Sequence, residues 1–572
     1  MPAVQTWLAD TQATVAEGMN RGREPELLPE QQASLLRNVS VRGGRVSSRP
    51  RIVKRMSLPA GLMQGAAVFP VTSELMVSVS GRVYAVDPRK WASVEKTSNS
   101  NRNSSKQPRV WFCETAGTLV MQDGQSRPYL YDGADFRRAG SKEVPVGRAM
   151  AFSNGRLAVV VGTGKDVRLG DIRQPEHQSE LRFTETYNLL GGGDFTFPSQ
   201  VRALASLPVI DTGSGQGALI VGCDDSLFTL KTQITERDLW SEVGFQTVLL
   251  PTRGITGGNA VVAVNQDLYF RSSDGLRSIR TSTADYSAPG LAPLSVEVRH
   301  RFDYDTQFLL QDASVVCFDN RLLVTHSPFI YGPRSLSQGI LALNYDSISG
   351  RGQKSPPVYD GEWDGVIIAQ MFTGRVHGTE RCFILGRDLA GANAIYEVLP
   401  ENSVQLGDEP TQVVETRMLF GDSPGVLKNV RRCDVQFSNI RSGLVVRVLF
   451  RPDKYPHWVQ WDQFAVDAPP AQAWGRVVPQ HRSLLSTRTP VEYVDPSTNR
   501  LVSCASGFQV RVEWDGFARL DYLQLFQERV TMLPYADNQE SDSQTDVVTV
   551  PSWATSPTFW YSHPVSPLAG TS

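Results

Sequence analysis

The sequence predicts an all-β protein: a β-propeller followed by an antiparallel β domain, with extended arms at both ends. Two observations carry this. Hairpin patterns return again and again between about Ala67 and Pro400, and the strands after Pro400 become longer and alternate in polarity.

The hairpin theme is plainest at Val261 to Ser278, which reads V-V-A-V-N-Q-D-L-Y-F-R-S-S-D-G-L-R-S. An apolar β-branched run meets a polar turn, a second run follows, and Asp274-Gly275 turns the chain again. Gly accepts positive φ without steric cost, so strand, turn, strand, turn is a meander. Residues 1–66 precede this pattern and read as an N-terminal docking arm. Thr6 to Gly18 suits a short helix, and Pro29 to Leu36 suits a helical turn with Pro at its first position.

The meander restates itself seven times. The units are Leu75–Val79 with Val83–Val86, Gly117–Met121 with Tyr129–Tyr131, and Leu157–Val161 after Asn154-Gly155. Then come Ala218–Val221 with Leu227–Leu230, Val261–Phe270, Arg321–Thr325 with Ile340–Leu343, and Cys382–Leu385 with Ala394–Val398. That is roughly 48 residues per unit, close to the ~40–50 of propeller blades. Seven blades are expected for residues 67–400, with six or eight as alternatives. Radial repetition suits a meander because it leaves only short, protected edges. Ser93 to Gln107 is polar and has no apolar face to bury, so a mobile loop is expected there.

Residues 401–534 read as a separate antiparallel β domain. Phe508-Gln509-Val510-Arg511-Val512-Glu513-Trp514 alternates strictly, which places one face in a core. Residues 535–572 are rich in Pro, Ser and Thr, with apolar islands at Val547–Val550 and Phe559-Trp560-Tyr561, and read as a C-terminal arm. Both arms have too little core to fold alone, so neighbouring chains are expected to order residues 1–50 and 540–572.

Composition narrows the function. Hydrophobic residues are 41% and charged residues 20%, the balance of a soluble globular chain. With 57 basic and 59 acidic residues the net charge is -2, which argues against general phosphate-backbone binding. The six cysteines (113, 223, 317, 382, 433, 504) have no CxxC spacing and read as small buried hydrophobes in a reducing compartment. The N-terminus lacks the pattern of a signal peptide, and no run of ~18 apolar residues suggests membrane insertion.

Motifs of catalysis dissolve when their chemistry is required of them. Asp211-Thr212-Gly213-Ser214 resembles one half of an aspartic-protease dyad, but no second triplet supplies the partner carboxylate. Gly421-Asp422-Ser423-Pro424-Gly425 matches G-x-S-x-G, yet Pro424 has no N–H to give an oxyanion. Gly162-Thr163-Gly164-Lys165 lacks the rest of a P-loop, and Gly191-Gly192-Gly193 has no dinucleotide register. Ser272-Ser273-Asp274-Gly275 only faintly resembles a sialidase Asp-box, and Asp303 and Asp305 share one short segment rather than facing each other. The seven histidines (177, 300, 326, 377, 457, 481, 563) form no HxH or HxxxH pair. The expectation is therefore no enzyme, with no catalytic, cofactor-binding or metal residues and no cofactor.

Taken in order, several motifs resemble the propeller-type tail nozzle, or tail hub, proteins of short-tailed bacteriophages. They are Gly18-Met19-Asn20, Leu28-Pro29, Asn38-Val39, Gly43-Gly44, Arg49-Pro50, Asn154-Gly155-Arg156-Leu157, Gly170-Asp171-Ile172, Asp267-Leu268-Tyr269, Asp274-Gly275-Leu276-Arg277 and Phe318-Asp319-Asn320-Arg321-Leu322-Leu323. The resemblance spans most of residues 1–400, and the C-terminal domain matches only by type. It implies a virion structural protein of the tail, assembled in the host cytoplasm as a ring homo-oligomer, usually a hexamer. The implied partners are the head-to-tail adaptor, other tail proteins such as fibres, spikes or a plug, and double-stranded DNA only in transit. A tail depolymerase and a receptor- or glycan-binding propeller are the alternatives.

Overall fold

The computed structural model describes residues 8–12, 15–172, 181–183, 192–207, 217–232, 234, 236–242, 245–265, 267–283, 293–302, 305–306, 308–345, 358–401, 403, 410–421, 424–467, 482–490, 494–495 and 500–530. The chain is all-β, 55% strand against 5% helix, and contains a propeller arrangement of five blades. Residues 1–529 form one compact unit. The expected C-terminal arm, 535–572, lies outside the described residues.

The first blade shows why these sequences make strands. Met63–Phe69, Glu74–Val79, Arg82–Asp87 and Ala92–Glu95 pair antiparallel in sequence order. Leu75, Met76 and Val77 of its second strand are fully buried, while Ala92–Glu95 at the edge is largely exposed. Inner strands are covered on both faces by neighbouring blades, so they read as continuous apolar runs. Each such side chain contributes ~1.5–3 kcal/mol over its exposed state. The same four-strand order recurs over Trp111–Arg138, Gly147–Thr196 and Val201–Leu250, and Val261–Ser278 forms a three-stranded blade. The tight turns follow their chemistry. Asn154 (φ 52°) and Gly155 (φ 77°) close the pair Ser153–Arg156, the double positive φ that a two-residue hairpin requires.

The expectation of seven blades is corrected to five. The hairpins at residues 315–363 and 367–398 are present, but they do not stand as separate sheets. Ser337 pairs with Ile368, and Arg37 bridges to Glu362, so both hairpins run into a thirteen-stranded sheet. Local sequence announces a hairpin; it does not announce what pairs with the hairpin's outer edge. The first strands still close a circle. Those of the five blades pack on one another in turn, Val261–Val264 packs on Val315–Phe318, that on Ile367–Val376, and that on Met63–Phe69.

The N-terminal region is the largest departure from expectation. Residues 8–12 and 15–57 are woven into this chain's own sheets rather than extended for a neighbour. Leu8–Gln12 pairs with Arg519–Arg529. Leu35–Arg37 lies between Val358–Trp363 and Gln412–Glu415, and Ile52–Ser57 adds an outer strand to Asn393–Val398. Where helix was expected, Leu8–Gln12 and Leu35–Arg37 are strands, because Leu36, Val39, Val41, Val46 and Ile52 are all buried and tertiary pairing overrides weak local preference.

Residues 401–530 supply antiparallel strands as expected, but not as a separate unit. Phe508, Val510, Val512 and Trp514 are fully buried, as the alternation required, against Cys433, Val435 and Phe437 of Lys428–Ser438. The same core takes in Val39, Val41 and Val46 from the N-terminus and Leu322 and Val324 from the 321–331 strand. The polar stretch 93–107 is also corrected. Asn103 and Thr97 are buried, Gln64 donates to the carbonyls of Ser104 and Gln107 (both 2.8 Å), and Arg138 donates to Asn101 (2.8 Å) and Asn103 (2.7 Å). Hydrogen bonds hold what an apolar face does not.

Candidate functional site

Where blades begin, segments from five successive units converge on one cavity of about 300 Å³. Arg109 and Trp111 come from the start of the second blade, Arg148 from the third and Arg202 from the fourth. Thr256 to Gly258 and Gln311 come from the approaches to Val261–Val264 and Val315–Phe318. Asp123 and Gln125, on a turn at the same end of the second blade, complete the wall. The circle of first strands places these residues together.

Two of the three guanidinium groups are committed. Arg109 grips Asp312 with both prongs (2.7 and 2.9 Å), and Arg202 grips Asp224 in the same way (2.5 and 3.2 Å). Asp312 is itself buried and accepts the Ser335 N–H (2.9 Å), while Arg334 lies 3.3 Å from it. Burial alone would raise the Asp312 carboxyl, but Arg334 and Arg109 outweigh it and hold it below its ordinary range. Arg148 differs: its side chain is exposed and has no ion-pair partner among the described residues. Asp123, the one carboxylate on the wall, is buried and spent on its own turn and the loop beside it, accepting from the N–H groups of Gln125 (2.9 Å), Ser126 (2.7 Å) and Ser104 (3.2 Å).

Glycine makes room at two points. A Cβ on Gly258 would stand 3.3 Å from both Cδ1 and Nε1 of Trp111, and one on Gly164 would stand 3.2 Å from Nη1 of Arg148. The indole and the free guanidinium therefore have backbone beside them where a side chain would otherwise crowd in.

The motifs singled out in the sequence do not meet here. Asp211 to Ser214, Asp422, Ser423, Gly191 and Asp303 lie outside the described residues. Gly421 donates its N–H to Asp10 (3.1 Å). Lys165 donates to the Pro198 carbonyl (3.2 Å) and so serves a turn rather than a phosphate. Gly192 donates to Asp171 (3.0 Å). Asp274 accepts from Arg277 (2.6 Å) and Arg253 (2.9 Å); burial pulls its carboxyl up, but those cations and Ser272 hold it well below its usual range. Asp305 accepts from the buried Arg271 (3.0 Å).

His326, His300 and the cysteines do not form a reactive group either. His326 is buried, and burial pushes its pKa down to about 4, so it is neutral at physiological pH. His300 lies 3.5 Å from Glu362, which Arg301 also holds. No metal-holding group occurs among the described residues. None of the six cysteines forms a disulfide, and burial raises Cys113 to about 12 and both Cys223 and Cys317 to about 11, which makes these three poor nucleophiles.

Sequence reading missed Arg109, Arg148 and Arg202. Their signal is positional: each lies at or just before the start of the first strand of a successive blade, in Pro108-Arg109-Val110, Gly147-Arg148-Ala149 and Val201-Arg202-Ala203. Uneven insertions between blades hide that phase. In comparisons with known proteins, no family model and no curated protein matches the chain.

Proposed function

We propose that this chain is a structural subunit of a bacteriophage tail, the nozzle or hub ring through which DNA leaves and to which other tail parts attach. The observation that carries the reading is how the body is braced. The N-terminal segment supplies an outer strand to Asn393–Val398 in the thirteen-stranded sheet and also pairs with Arg519–Arg529, so the two ends of the described chain are tied to each other and to that sheet. Arg334 adds a second brace. It donates to the carbonyls of Met63 (2.5 Å) and Ala369 (2.6 Å), linking the first strand of blade one to the strand that closes the circle. A subunit that bears load while DNA passes needs such a body more than it needs a reactive site. The resemblance of the ordered motifs to the tail nozzle family supports the same role, and it implies a ring of copies, usually six, contacting an adaptor.

The depolymerase alternative needs a facing pair of carboxylates. The cavity at the blade starts carries a single carboxylate among its lining residues, Asp123, already engaged by three N–H donors. The test is direct imaging of native particles and of the purified chain by electron microscopy. The reading expects a ring of this chain with an open bore at the tail. A chain absent from tails, or a ring with no bore, overturns it. Truncation before residue 540 is expected to leave the propeller folded and to weaken incorporation into tails; normal incorporation would remove the docking role of that segment.

A further inference from the structure

The cavity at the blade starts has a chemistry that a purely structural role does not use. We propose that it is a binding site for a carboxylated sugar, a uronic- or sialic-acid-type residue of a surface polysaccharide. This stands whether or not the chain is a tail subunit.

Three features point to that class. The first is charge. Arg148 is an exposed guanidinium on the cavity wall with no ion-pair partner among the described residues, whereas Arg109 and Arg202 are held by Asp312 and Asp224. One uncommitted planar fork matches one carboxylate. A nucleic-acid backbone is different, since its affinity comes from many phosphates neutralised together along a surface. The second feature is the aromatic wall. Trp111 is half-buried, and its indole N–H has no partner among the described residues. A ring face with one polar tip suits the mixed apolar and hydroxylated faces of a sugar. The third is the supply of amides. Gln107, Gln125 and Gln311 line the same space, and each can both donate to and accept from hydroxyls. At about 300 Å³ the cavity holds a single sugar unit rather than a chain, at the lower end of the ~300–1,000 Å³ of ligand pockets.

The expected arrangement is a carboxylate on Arg148, hydroxyls on the glutamines, and the pyranose ring against Trp111. The fixed ion pairs at Arg109 and Arg202 keep the wall rigid before the ligand arrives, which lowers the ordering cost of binding.

The experiment titrates the full chain with methyl glucuronoside, N-acetylneuraminic acid, methyl glucoside and inorganic phosphate, read by calorimetry and by saturation-transfer NMR. At least one acid sugar should bind about tenfold or more tightly than methyl glucoside, and Arg148→Gln should remove that margin. Gln125→Ala should weaken binding less. Both side chains are exposed, so both variants should fold, which a thermal melt checks. Equal binding of neutral and acid sugars, phosphate binding as tightly as the acid sugars, unchanged affinity in Arg148→Gln, or no binding by any probe would each overturn the proposal.

Discussion

Two buried arginines do related work in different settings. Arg334 sits where the propeller circle closes, bonded to the carbonyls of Met63 and Ala369 and beside Asp312. Arg321 sits where the N-terminal hairpin meets the large sheet, bonded to Asp360 (2.6 Å), Asp319 (2.9 Å), Glu401 (2.6 Å) and Ser40. Both are almost completely buried. The Arg334 cluster has an open side, because its carboxylate Asp312 also holds Arg109 on the wall of the cavity. The Arg321 cluster is more enclosed, and Ser40, Ser47 and Arg42 take up the rest of Glu401. The same residue types therefore brace the fold in one place and shape a ligand-sized wall in another. Access to water separates the two roles.

The largest effect should come from breaking the enclosed cluster. Arg321→Met leaves Asp360 fully buried without its cation, and leaves the partly buried Glu401 with Arg42 alone. Removing one partner of a buried pair typically costs ~3–5 kcal/mol. Denaturant unfolding should show a midpoint lowered accordingly, with N-terminal protease sensitivity rising first. A midpoint within experimental error of the parent would show that the cluster braces nothing.

Arg321 also shows how much could be read in the sequence. Phe318-Asp319-Asn320-Arg321 announces a tight turn, and the structure has one there, with Asp319 at φ 50° and Asn320 at φ 56°. The triple role of Arg321 was hidden because its partners Asp360, Glu401 and Ser40 lie 39, 80 and 281 residues away. Alternation at Phe508–Trp514 fixed a buried face but not the N-terminal strands that pack on it. Individual hairpins were legible for a local reason, turn chemistry. Their division into five separate blades and one large sheet was not, because it depends on pairings such as Arg37 with Glu362 that no local pattern encodes. The cavity was illegible for the same reason, since its wall is drawn from segments between residues 107 and 311.

Glu297 sharpens the comparison from the other side: it is a partly buried carboxyl without a bonded guanidinium. Burial first, and Glu17 second, push its pKa up to about 7 against the opposing pull of Arg23, and its Oε2 is buried without a hydrogen-bond partner. The sign follows from the raised value. The protonated form stabilises the fold fully below the ordinary carboxyl pKa, and that contribution is lost as pH rises towards 7. Glu297→Gln should therefore stabilise the chain above pH 7 by on the order of 2 kcal/mol, after discounting for partial exposure, and change little at pH 4. Melting curves at the two pH values read this directly, and a variant equally stabilised at both would contradict the assignment.

Arg202 tests the open side of the contrast. Its pair with Asp224 is bidentate but about a quarter exposed, 26% and 28% for the two side chains. Water screens such a pair, so Arg202→Gln should cost less than about 1 kcal/mol. A loss as large as that of Arg321→Met would mean that the cavity wall is as structurally committed as the enclosed cluster.

The smallest stability effect is expected at Arg148, where the contrast between bracing and binding is sharpest. Its side chain is exposed and makes no ion pair among the described residues, so Arg148→Gln removes charge without leaving a buried partner behind. Surface changes of that kind usually stay within about 0.5 kcal/mol. The melting temperature should therefore match the parent at neutral pH and also at high salt, since no specific pair is being screened. A bracing arginine behaves in the opposite way: its loss shows in the melt whether or not a ligand is present. If Arg148→Gln lowers the melting temperature of the free chain as much as Arg202→Gln does, then Arg148 belongs with the braces, and enclosed and open guanidinium groups do not divide into braces and binders at the residue where they should do so most cleanly.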